Sequence, residues 1–150
     1  MKPIIDPLRA VAVLVASLVV ATTACADPLT DYMLHCRGCH GPDGVGAPGA
    51  VPSFRDYIGK FLLVDGGREY LIRVPGSAQS ELSDARTAAL LNWLVEEYGP
   101  KEVASAFERF TEQEITQHRR PPLTEVQEVR QRLVEAIESR EASAGAASSP

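Results

Sequence analysis

Between residues 38 and 52, eight of fifteen positions are glycine or proline: Gly38, Gly41, Pro42, Gly44, Gly46, Pro48, Gly49 and Pro52. Proline lacks a backbone donor and fixes φ, and glycine pays the largest entropy cost in regular structure, so this density excludes a helix or a strand. Any fold of the chain must carry an irregular loop here, of a length that in a small domain signals a loop wrapped around something.

The loop opens from Cys36-Arg37-Gly38-Cys39-His40, a C-x-x-C-H sequence. This is the signature of covalent c-type haem attachment. Two thiols three positions apart on a tight helical turn can form thioethers to the two vinyl groups of one haem. The next residue then projects an imidazole at the iron. Other uses of the same residues fit less well. A thioredoxin-type pair needs a strand-to-helix context, a structural disulfide has no need of His40, and a zinc site needs four ligands, which His35 and His118 do not complete at a recognisable spacing.

The amino terminus reads as a secretory signal peptide over residues 1–26. Lys2 and Arg9 precede an apolar run over 10–20, and Ala24-Cys25-Ala26 is a small-x-small cleavage pattern. The run is shorter than the roughly 20 residues of a spanning helix. Cleavage after Ala26 leaves Cys36 and Cys39 as the only cysteines, with no odd thiol in an oxidising compartment. The competing reading is lipidation of Cys25, which would anchor the protein to a membrane; Thr22 stands where that signal prefers leucine. The expected location is the periplasm.

The remainder reads as helices. Leu29, Tyr32 and Met33 give a short helix before Cys36 one apolar face, and Tyr70, Leu71 and Val74 mark another that stops at Pro75-Gly76. The clearest helix spans about 84–98, with Ser83 as N-cap, Leu82 ahead of it, and Ala88, Leu91, Leu94, Val95 and Tyr98 on one face. Beyond Gly99 the chain turns to charged helix formers. Thr111-Glu112-Gln113-Glu114 is a capping box with Phe110 and Ile115 as staple, and Val126, Val129, Leu133 and Ile137 form a narrow stripe to about Arg140. The expected organisation is a domain over 27–100, a helical extension over 101–140 and a disordered Ala/Ser/Gly tail over 141–150.

A first domain of this size is marginal on side-chain burial alone. The whole chain of 150 residues is only 6% aromatic, which suggests that something besides side chains fills the core. Its net charge of −5 argues against nucleic acid as a partner.

Residues 28–98 resemble the small bacterial class I c-type cytochromes. The resemblance rests on the pentad, His40-Gly41-Pro42-Asp43-Gly44-Val45-Gly46, Val51-Pro52-Ser53-Phe54, Gly67-Arg68-Glu69-Tyr70-Leu71, and Leu82-Ser83-Asp84 leading into a terminal helix with Trp93. It implies an all-α fold, one covalent haem c per chain, and crossed first and last helices, with Leu29, Tyr32 and Met33 set against Leu90, Trp93 and Leu94. It also implies a loop proline whose carbonyl accepts from the proximal imidazole. Pro52 is the candidate, with Pro48 second.

The departure from the class lies in the loop before the terminal helix, which usually supplies a methionine as sixth iron ligand. Here that loop is Pro75-Gly76-Ser77-Ala78-Gln79-Ser80-Glu81, without methionine. Met33 sits on the proximal-side helix. The distal candidates are an open or water-bound position, His118 from the extension, Gln79 and Lys60. Arg68 and Arg73 are candidates to pair with haem propionates, as bidentate guanidinium groups suit carboxylates.

The function this implies is single-electron transfer between a periplasmic dehydrogenase or oxidase and a downstream acceptor, a carrier's role and not an enzyme's. Two rivals stand beside it: a haem-based gas sensor or peroxide-reactive accessory protein using an open distal position, and a permanent subunit of a larger oxidoreductase.

Overall fold

The computed structural model describes residues 27–147; the expected signal peptide lies outside them. Among the described residues the chain is helical, with an isolated bridge between Ala47 and Val51 as its extended pairing. In chain order the helices are α1 (Pro28–His35), α2 (Arg37–His40), a 3-10 helix (Ile58–Leu63), α3 (Gly67–Arg73), α4 (Pro75–Ala78), α5 (Asp84–Tyr98), α6 (Lys101–Ala104), α7 (Glu112–His118) and α8 (Val126–Ala147). The all-α expectation holds.

Helix α5 organises the rest. Ser83 caps its start, the hydroxyl accepting from Arg86 N at 3.3 Å, and the Gly99 N–H bonds back to Val95 at its end. Its face of Ala88, Leu91, Leu94, Val95 and Tyr98 is buried. Helix α1 crosses it through Tyr32, whose ring centroid lies 5.4 Å from Trp93 and 5.8 Å from Tyr98. Beside Tyr32 the wholly buried Asp31 carboxylate is paired with Arg86 of α5. The expected three-residue contact from α1 is thereby corrected. A helix this short offers α5 a single side, which Asp31 and Tyr32 occupy, so Leu29 and Met33 turn outward and are about half exposed.

The extension shares the core of the preceding segment. Phe110, Ile115, Leu133 and Ile137 are buried in the same apolar cluster as Tyr32, Leu91 and Val95. Thr111 caps α7 by accepting from Glu114 N at 3.2 Å. The buried Asn92 amide pairs with the Phe110 backbone, while the guanidinium of Arg68 lies 4.1 Å from the Phe110 ring centre. Farther along, Leu123 N donates to Arg73 O at 2.9 Å. Helix α8 then packs on the 3-10 helix and α3.

Helix α8 also continues through residues 141–147, where a disordered tail was expected. Alanine is the strongest helix former and costs no side-chain entropy. Two contacts support the continuation: Lys60 pairs with Glu141 at 2.7 Å, and Ser143 Oγ donates to Ser139 O at 2.9 Å.

Candidate cofactor site

The pentad is one tight helical turn at the end of α1. Cys36 N bonds to Tyr32 O, and Cys36 O in turn accepts from Cys39 N at 3.2 Å and His40 N at 3.0 Å. This winding sets positions 36, 39 and 40 on neighbouring parts of one helical face. Cys36 is half-buried, and burial, followed by the charge of Asp31, pushes its thiol up to about 11.

The irregular loop folds back on the turn that starts it. Gly46 N donates to His40 O at 2.9 Å, and Ala47 and Val51 exchange two backbone bonds of 2.9 and 2.8 Å. Gly46 has φ +67°, and a Cβ there would stand 2.3 Å from Val51 O, so this corner requires glycine. The loop then presents Pro52, whose carbonyl lies 3.1 Å from His40 Nδ1. Phe54 stacks on the imidazole, with ring centroids 3.8 Å apart. Burial draws the His40 pKa below its ordinary value, and the bond to Pro52 pulls the other way. A neutral imidazole donating from Nδ1 keeps its lone pair on Nε2.

Cys36, Cys39, His40 and Pro52 line a cavity of about 320 Å³ whose other walls include Ile58, Phe61, Leu71, Leu90, Leu91 and Leu94. Two thiols and one imidazole at the edge of an apolar cavity form the donor set of a covalently tethered flat macrocycle. A further observation supports the fit. Thr87, only 2% exposed, lines the same cavity, and its hydroxyl has no hydrogen-bond partner within the protein. Buried hydroxyls are normally satisfied, so an orphan here suits a group that brings polar atoms with it.

Other residues singled out from the sequence lie elsewhere. Arg68 does not line the cavity. Its guanidinium holds Glu114 through Nε and through Nη2 at 2.8 Å, and donates to Glu108 O at 2.7 Å. Arg73 is likewise engaged, with Glu69 at 2.7 Å and Pro121 O at 3.0 Å. Both arginines fasten the extension to α3. The arginine in the cavity wall is Arg130 of α8, accompanied by Val126 and Gln127. Its spacing from Val126 puts it on the edge of the apolar stripe, a signal present in the sequence. His118 is exposed at the end of α7, Gln79 is exposed, and Lys60 is paired with Glu141; none of the three lines the cavity. Met33 points outward from α1 and also lies outside its walls.

No protein-family model matches the chain. It is similar, however, to the cytochrome c-552 of Thermus thermophilus, with 32% identity over 115 aligned positions covering 65% of this chain and 88% of that protein. The cytochrome c-552 of a second strain of the species matches at 32% identity, with 78% of its length covered. The chain belongs to the small class I c-type cytochromes, electron carriers whose cofactor is covalent haem c.

Proposed function

We propose that this cytochrome is an exported monohaem carrier that passes single electrons in the periplasm between a dehydrogenase or oxidase and a downstream acceptor. In this reading Cys36 and Cys39 hold the haem through thioethers and His40 Nε2 is the proximal iron ligand. Bound haem supplies one-electron chemistry at iron, and the polypeptide sets access, potential and docking. The Pro52 carbonyl fixes the imidazole tautomer and ring orientation and raises its donor strength. The observation that carries the reading is the meeting of Cys36, Cys39 and His40 in one apolar cavity, with His40 Nδ1 engaged by Pro52.

Export rests on the signal reading of residues 1–26, with haem domain and extension over 27–100 and 101–140. Among the described residues no helix is long and apolar enough to cross a membrane. The test is expression with a working cytochrome maturation system, followed by fractionation and potentiometric titration. The expected result is a soluble periplasmic protein with a one-electron redox transition. Retention in the cytoplasm would contradict export, and a membrane-bound product would indicate lipidated Cys25.

A second reading has its own support, because Gln79, Lys60, His118 and Met33 all lie outside the cavity walls. An iron without a protein ligand on its distal face would bind small gases or peroxide. Carbon monoxide separates the two readings. A reduced spectrum indifferent to CO favours the carrier, and rapid binding with a high-spin ferric spectrum favours the sensor or peroxide-reactive protein.

A further inference from the structure

Arg119, one residue past α7, is only 5% exposed, and its guanidinium is spent on one short stretch of chain. Nε donates to Ala78 O at 3.1 Å. Nη1 donates to Leu82 O at 2.7 Å and to Asp84 Oδ1 at 2.9 Å. Nη2 donates to Ser80 O at 2.5 Å, Ser80 Oγ at 2.9 Å and Ser77 O at 3.3 Å. A buried cation is costly unless its donors are satisfied, and here the planar fork of N–H groups is met mainly by backbone carbonyls.

The clamped stretch is part of the cavity wall, since Ser77 and Ser80 both line the cavity with His40. Residues 75–82 contain no methionine, histidine, cysteine or lysine, so this wall offers no strong side-chain ligand of its own by which iron would hold it. Its own bonds are few: Ser77 N and Ala78 N to Val74 O, Gln79 N to Pro75 O, and the Ser80 hydroxyl to Ser77 O.

We propose that Arg119 is a positioning residue that holds the 77–82 turn against the haem cavity independently of the iron's oxidation state. The extension would then shape the haem environment through this one side chain. The inference rests on the haem reading of the cavity. Lysine cannot replace the arginine fully, because a compact ammonium cannot reach carbonyls spread around a planar fork.

The test is amide hydrogen exchange at Ser77, Ala78 and Gln79, with reduction potential and haem absorption as the second readout. In the natural protein, exchange at these amides should be the same in oxidised and reduced forms; protection that follows the redox state would overturn the proposal. In R119Q these amides should exchange at least about tenfold faster while the centre of α5 stays protected, as expected of local opening. The potential and haem bands should shift with them, and R119K should recover only part of the effect. A haem-loaded R119Q with natural exchange and potential would overturn the proposal. If R119Q does not fold, R119K and the redox comparison in the natural protein decide it. A protein without covalent haem would overturn the assignment of the cavity instead, and exchange in natural and R119Q chains would still read the clamp.

Discussion

Asn92 and the backbone of Phe110 bond each other twice: the amide Nδ2 donates to the Phe110 carbonyl at 2.9 Å, and Oδ1 accepts from its N–H at 2.7 Å. Both residues are buried, and the pair pins the start of the extension to the middle of α5. Replacing Asn92 by Ala strands a donor and an acceptor away from water. The expected cost is about 2–4 kcal/mol, read as a lower denaturant midpoint at unchanged slope. A midpoint within error of the natural protein would show that the extension is held elsewhere.

Asp31 and Arg86 make the equivalent tie between α1 and α5. The carboxylate is wholly buried while the arginine reaches solvent, so the two ends of the pair are unequal. Removing the arginine leaves an uncompensated buried charge; removing both leaves none. R86M alone should therefore destabilise more than the D31N/R86M double variant. Additive effects in the double-mutant cycle would contradict the coupling.

Acid sensitivity follows from Asp84. Its hydrogen bond from Arg119, then that from Thr116, holds its carboxyl below the ordinary value of 3.8. A depressed folded value contributes stability that is present above the unfolded pKa and is lost as pH falls through the folded one. The stability gap between the natural protein and D84N should be constant from neutral pH to about pH 5 and close progressively below about pH 4. Parallel curves throughout the acid range would refute this.

Gly46 controls how Pro52 is presented to His40. An alanine there meets the Val51 carbonyl and must also hold a positive φ. G46A is expected to cost about 1–3 kcal/mol and to alter the haem absorption of the loaded protein, because the proline carbonyl moves off Nδ1. Thermal unfolding and the visible spectrum check the two halves of the statement separately.

The local part of this architecture is legible in the sequence, and the long-range part is not. Ser83 and Thr111 act as the caps their patterns announce, and Ala88, Leu91, Leu94, Val95 and Tyr98 form the buried face their spacing describes. Capping and periodicity involve neighbours within a turn or two, and composition records them directly. Arg68 illustrates the limit. Next to an expected haem it is a fair propionate partner, but its carboxylate turns out to be Glu114, forty-six positions away. Arg119 gives no sequence sign of reaching residues 77–82, and Asn92 none of reaching Phe110. The irregular 3-10 helix Ile58–Leu63 carries no clean period either; packing against α8 and α3 supports it.

The central claim is that Cys36 and Cys39 are both bonded to one haem beside His40. Its most direct test is intact-mass and peptide mass spectrometry of protein matured in a host with a cytochrome assembly system. The account predicts a mass increase of one haem, carried by the peptide containing residues 36–40 and bonded at both cysteines. A colourless product of bare polypeptide mass, with two free thiols or a disulfide between them, would contradict it.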